Sequence, residues 1–206
     1  MIVHRSLALR LVLALGLAIA AVACSTTPPP RLYVLNAAAV PAGATPLRGP
    51  SIGVAAAAVP EYLDRAEIVS RTRTNEILLS PDSRWAEGLA VNAQRVVTEN
   101  LSRLLASDRV VMLPTRTGAR VEIEVFVELM ACEIDADGRA VLAGRWSVID
   151  GDTKRELAGA RFSLTEPTGA PAGQPNYAAA AASLSKAFAE VSASVAQALA
   201  RVPAKG

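Results

Sequence analysis

Residues 49–53, Gly49-Pro50-Ser51-Ile52-Gly53, have the G-x-S-x-G form that carries a serine nucleophile on a sharp strand-to-helix turn. That chemistry needs a strand before the serine, a helix after it and a histidine base. Here a Pro/Gly-rich loop precedes Ser51, a strand-like run follows it, and the single histidine of the chain is His4. The match is read as accidental. Asp135-Ala136-Asp137-Gly138 has the opening of a calcium loop, but the closing glutamate such a loop needs at its twelfth position is Trp146 here. It reads as a hairpin turn. Glu122, Glu124 and Glu128 could supply paired carboxylates, yet on alternate residues of a strand they line one solvated face. There is no phosphate-binding Walker sequence and no dinucleotide fingerprint. With two cysteines and one histidine, a zinc site built from those residues is excluded. The residues thus predict no catalytic set, no metal and no cofactor.

The remaining chemistry lies at Cys24. Residues 1–23 read as a signal peptide: Arg5 and Arg10 without an acid, an apolar run from Leu11 to Ala20, then Ala21-Val22-Ala23. The apolar run is too short for a bilayer span, which needs roughly 20 residues. Ala21-Val22-Ala23 permits ordinary cleavage, leaving a soluble protein that starts with cysteine. Followed by Cys24 it also resembles a bacterial lipobox, with Ala21 where leucine is usual. We read lipidation: a covalent S-diacylglycerol and N-acyl group on Cys24, followed by a Ser/Thr/Pro tether over residues 24–30. Proline-rich linkers are extended and semi-rigid, and several acyl chains anchor stably where one does not. Ser25 is not the aspartate that often retains enteric lipoproteins in the inner membrane, so the expected location is the outer membrane, facing the periplasm.

Loss of the signal segment removes Arg5, Arg10 and His4, which brings the 21 basic residues level with the 19 acids. A charge-balanced domain has no electrostatic footprint for nucleic acid. With Cys24 acylated, Cys132 has no disulfide partner and reads as a small buried hydrophobe.

About 180 residues remain, enough for one domain with a proper core, here residues 31–206. Strands are expected over 31–35, 52–59, 68–72, 76–79, 109–113, 121–134, 140–149 and 156–164. The clearest, 121–134, points Val121, Ile123, Val125, Val127 and Leu129 one way. Glu122, Glu124, Phe126, Glu128 and Met130 point the other. A first helix is expected from Trp85 to Ala106, with Asp82 or Ser83 as N-cap; Trp85, Leu89, Ala93, Val96, Val97, Leu101, Leu104 and Leu105 recur on one face, and Arg84, Glu87, Gln94, Arg95, Glu99 and Arg103 lie mostly on the other, wet one. A second is expected from Tyr177 to Val202, where Leu184, Phe188, Val191, Val195 and Leu199 form a narrow stripe. Strands, helix, strands, helix predict an α+β two-layer sandwich: a mostly antiparallel sheet with two amphipathic helices on one face. The sheet face with the Glu row, Phe126 and Met130 is left for solvent or a partner.

Several segments, in order, resemble the ABC-type transport auxiliary lipoproteins, also described as PqiC-type subunits. They are Pro-Pro-Pro-Arg31-Leu32-Tyr33-Val34-Leu35, Ile52-Gly53-Val54, Pro60-Glu61-Tyr62-Leu63-Asp64-Arg65, Ile68-Val69-Ser70-Arg71 and Arg84-Trp85-Ala86-Glu87. Leu104 to Val110, Arg145-Trp146-Ser147-Val148 with Asp150-Gly151, and Leu164-Thr165-Glu166-Pro167 complete the set. Ala66 and Gly88 stand where the family tends to have proline. The resemblance implies a non-enzymatic envelope lipoprotein acting beside an MCE-domain protein and, through it, a permease and an ATPase. Such systems are thought to move lipid between inner and outer membranes. It further implies docking at the outer membrane and a ring-shaped homo-oligomer. Partner contacts are expected from Tyr62, Leu63, Asp64, Arg65, Arg84, Trp85 and Glu87, since Tyr, Trp and Arg are enriched at interface hot spots. The internal alternative is that Trp85 caps the core and Asp64 and Arg65 hold their turn. A competing function is a periplasmic lipid-carrying module that shields an acyl chain, which requires a large apolar cavity.

Overall fold

The computed structural model describes residues 29–39, 49–73, 75–115 and 118–202. Cys24, the signal segment and the first part of the tether lie outside the described residues. Eight strands and two helices follow in order: β1 (Arg31–Tyr33), β2 (Ile52–Val54), β3 (Glu67–Arg73), β4 (Glu76–Trp85), α1 (Leu89–Leu104), β5 (Val110–Met112), β6 (Ile123–Ile134), β7 (Ala140–Asp150), β8 (Glu156–Glu166) and α2 (Tyr177–Leu199).

All eight strands join one sheet, which curls into a half-barrel. β6 is its centre. One edge of β6 pairs antiparallel with β7 along its length, and β7 pairs antiparallel with β8. The other edge is shared. Ile52–Val54 of β2 pairs with Ile123–Val125, Ala58 bridges Glu128, and Ser70 of β3 pairs with Ile134, all parallel. β2 also pairs parallel with β5, and β1 parallel with β4; β3 and β4 form an antiparallel hairpin. Four of the seven strand pairings are thus parallel. This corrects the expected mostly antiparallel sandwich to a mixed α+β fold. The physical reason is that the short strands pair across long crossovers, β2 to β5 through α1, and such pairing leaves no mark on local periodicity.

The alternation of β6 holds through Leu129 and then breaks. The register with β7 skips Met130, a β-bulge, and Cys132 and Ile134 return to the buried side. Gly144 faces Leu129 across the ladder at the bulge, and a Cβ there would lie 2.1 Å from the Glu128 carbonyl oxygen. No side chain fits that approach.

The expected first helix is too long at its start. Trp85 ends β4, where it pairs with Tyr33, and its N–H donates to the Ala66 carbonyl at 2.7 Å. Gly88, not Asp82 or Ser83, is the N-cap. From Leu89 onward the stripe is as expected, with Ala93, Val96, Val97 and Leu101 buried, while Leu104 lies outside it. Gln94, expected on the wet face, is buried; its amide donates to the carbonyls of Val54 and Leu113, each at 2.7 Å. The stripe of α2 is buried throughout, around Phe188 and Leu184. Asn176 caps it, accepting from the Ala179 N–H at 3.1 Å. Both helices share one apolar cluster with the inward residues of β6 and β7.

Two expectations about turns and thiols hold. Asp135 accepts from the N–H groups of Asp137 and Arg139, with Gly138 at φ +81°, closing the hairpin. Cys132 is buried, and burial together with the Glu133 charge pushes its thiol up to about 12.

Gly144→Ala is expected to lower the unfolding free energy by about 2 kcal/mol or more, measured by urea denaturation, because backbone must move to admit the methyl group. A Cys24→Ser chain is expected to leave Cys132 unreactive toward a thiol reagent at pH 8 until denaturant is added. The raised thiol value also sets the sign of a pH effect. As pH rises past about 8.5, the unfolded chain ionises this thiol and the native chain does not, so stability from this group falls.

Candidate partner-contact surface

Pro60 is the first residue of a single tight turn. The Pro60 carbonyl accepts from the N–H groups of Leu63 and Asp64 at 2.9 and 3.1 Å. The turn drives Leu63 into the core, at 1% exposure, and sends Tyr62 across the edge of β6. The Tyr62 hydroxyl donates to the Met130 carbonyl at 3.1 Å, so the residue skipped by the β6–β7 register is met from the turn. Met130 itself is 52% exposed.

Two residues of the neighbouring strands complete this corner. The Arg71 guanidinium sits 5.8 Å from the centre of the Tyr62 ring, within cation–π range. Its Nε donates to the carboxylate of Glu133, whose side chain is only 5% exposed. Burial first, and then the Glu133 charge, raises the Tyr62 phenol above its ordinary value; the hydrogen bond to Glu133 raises Arg71. The corner is a fixed Tyr–Arg–Glu constellation that presents an aromatic face beside an exposed thioether.

Beside it lies the open face of the sheet. Phe126 and Glu128 of β6, Arg145 and Ser147 of β7, and Ala56 and Ala58 surround a shallow depression of about 280 Å³. Of the row of acids, Glu122 is held by Ser51 and by Arg109 at 3.1 Å, and Glu124 by Lys154 at 2.7 Å. Hydrogen bonds from the Ser51 backbone N–H and hydroxyl, and then the Arg109 charge, hold the Glu122 carboxyl below its usual range. Ser51 returns the contact, accepting from the Glu122 N–H at 3.0 Å. This reciprocal clamp ties the start of β2 to β6, and it is the role found for the serine of the G-x-S-x-G stretch.

The seven residues expected to meet a partner separate in the structure. Leu63 and Trp85 are core residues, Trp85 at 4% exposure, as in the internal alternative. Glu87 is bound by Arg95 at 2.8 Å, and Arg95 also donates to the Leu35 carbonyl, so this pair fastens the chain after β1 to α1. Arg84 lies 3.5 Å from Glu67 across the β3–β4 ladder. Tyr62 and Arg65 remain half-buried at the surface, and Asp64 is exposed. Sequence reasoning missed Arg71 and Glu133. Their pairing depends on the bulge, whose one signal in the sequence is the switch of the apolar phase between Leu129 and Cys132.

The surface carries ion pairs closed on themselves and an aromatic–apolar corner; among the described residues there is no group of three or more potential metal ligands. No helix among them is long and apolar enough to cross a membrane. Fold and surface define a mixed α+β domain with an exposed aromatic–apolar corner. The family of ABC-type transport auxiliary lipoprotein components matches residues 33–196, and the chain belongs to it. Two solved structures share the fold. One is an uncharacterized protein, 20% identical, with a TM-score of 0.64 over 82% of this chain and 98% of its own. The other is protein XCC0632 from Xanthomonas campestris, 17% identical, with a TM-score of 0.66 over 81% and 92%. A PelC dodecamer from Paraburkholderia phytofirmans is more remote, 15% identical with a TM-score of 0.45 over 76% and 91%. No curated protein matches the chain.

Glu133→Ala removes the carboxylate that Arg71 meets beside the Tyr62 ring. A loss of about 2 kcal/mol is expected in urea titrations, below the cost of a fully buried pair because Arg71 keeps contact with water. Asp64→Ala, at an exposed position, is expected within about 0.5 kcal/mol of the parent.

Proposed function

We propose that this chain is a non-enzymatic envelope lipoprotein and the accessory, docking subunit of an MCE-type ABC lipid-transport system between inner and outer membranes. It is held by diacylglycerol and an N-acyl chain on Cys24 at the outer membrane, facing the periplasm. The observation that carries this reading is the family match, which begins nine residues after Cys24 and runs through almost all of the described domain. The tether fits the role. Residues 24–30 in an extended proline-rich form reach roughly 20 Å, enough to hold a domain near a bilayer without embedding it. The proposed contact for an MCE-domain protein is the Tyr62 corner with the open face of β6, where Met130 and Phe126 are exposed next to Tyr62, Arg65 and Arg71. Aromatic, methionine and arginine side chains are the types that dominate interface cores.

The experiment is a membrane fractionation of cells producing the full chain, with intact mass of the N-terminal peptide. The expected result is an acylated Cys24 in the outer-membrane fraction, and movement of a Cys24→Ala chain to the soluble periplasm. Met130→Asp is expected to weaken co-purification with the MCE protein of the same operon by about tenfold without changing Tm. An unmodified Cys24 thiol in a soluble protein overturns the anchor. Undiminished co-purification of the Met130 variant overturns the docking face.

A further inference from the structure

β8 is a sheet edge. It pairs with β7 and, among the described residues, with no strand on its other side. It is 11 residues long. Natural proteins shorten, bulge or charge such edges, because each unpaired N–H and C=O is a template for another strand. Residues 157–164 of β8 carry one charge, Arg161, and no proline.

The inward row of β8 is also incompletely covered. Ala158, Ala160, Phe162 and Leu164 touch the core but stay half-buried. A cleft of about 810 Å³ opens between β8 and the C-terminal half of α2, lined by Trp146, Leu157, Ala160 and Ala198 together with Arg155 and Arg201. Neither arginine makes an ion pair with a described residue, and the acid of the same lining, Glu156, is bound to Arg145. A cleft with apolar walls, an open backbone ladder along one side and two guanidinium groups that no described carboxylate pairs with is complementary to an extended chain bearing negative charge.

We propose that β8 and this cleft form a strand-addition site for an acidic, extended segment of a partner protein. The segment lies along β8 as an added strand, and its backbone closes the ladder. Alternate side chains enter the cleft under α2 and cover the half-buried row. A carboxylate meets Arg155 and Arg201, which set the sign and orientation of the segment, as charge-assisted fork contacts do. The site is separated from the Tyr62 corner by β6 and β7, and it does not depend on the anchor or on the transport partner proposed above.

The test uses the intact mature chain in detergent and a synthetic peptide of about ten residues, the length of β8, alternating valine with threonine and ending in two glutamates. Anisotropy reads binding, and amide hydrogen exchange reads its place. The expected result is saturable binding, added protection confined to β8 and the C-terminal half of α2, and a weakening of about tenfold or more in an Arg155→Glu, Arg201→Glu chain with unchanged circular dichroism. A control peptide ending in two lysines is expected not to bind. Four results overturn the proposal: no binding at millimolar peptide, binding that survives the double charge reversal, protection elsewhere on the molecule, or β8 amides already protected in a concentration-dependent way without peptide. The last assigns the edge to a second copy of the chain.

Discussion

One strand has to satisfy more neighbours than an ordinary strand can. β6 gives one edge wholly to β7 and divides the other among β2, the Ala58 bridge and β3. Three separate segments can share an edge only if they reach it at different heights, and they do: Val125 near the start, Glu128 at the middle, Ile134 at the end. Between the last two sits the bulge at Met130. An extra residue there lets the strand bend and keeps Cys132 and Ile134 in the core. The exposed corner is built at that local irregularity, where the Tyr62 hydroxyl meets the Met130 carbonyl.

Polar side chains of α1 hold the pieces that have no ladder of their own. Asn92 accepts from the Leu35 N–H at 3.0 Å, and Asn100 from the Ala38 N–H at 2.9 Å; Arg95 and Arg103 donate to carbonyls of the same stretch. Gln94 spans the carbonyls of Val54 and Leu113. Buried or half-buried irregular backbone must find partners somewhere, and here one helix supplies them. A helix read as having a wet polar face is in fact polar on two sides for different reasons. One side meets solvent, and the other brackets the chain after β1 and the ends of β2 and β5.

The outer surface follows a different logic. Where carboxylates stand on the open face they are mostly neutralised by a neighbour from another element, Arg109 on Glu122 and Lys154 on Glu124. What stays open is the apolar and aromatic material at Met130, Phe126 and Tyr62 and the bare edge of β8.

Period and composition were enough to read the three-strand meander, the α2 stripe, the turn at 135–138 and the buried Cys132. Each of these rests on neighbours within a few residues or on a plain inventory of side chains. Tertiary structure alone decided that four pairings run parallel, that Trp85 closes a strand instead of opening a helix, that Gln94 is buried, and that Arg71 meets Glu133 beside Tyr62. These depend on segments 19 to 71 residues apart meeting in space, only some of them at β6. Local sequence carries no trace of such an encounter, because parallel pairing and a bulge are set by where the chain returns.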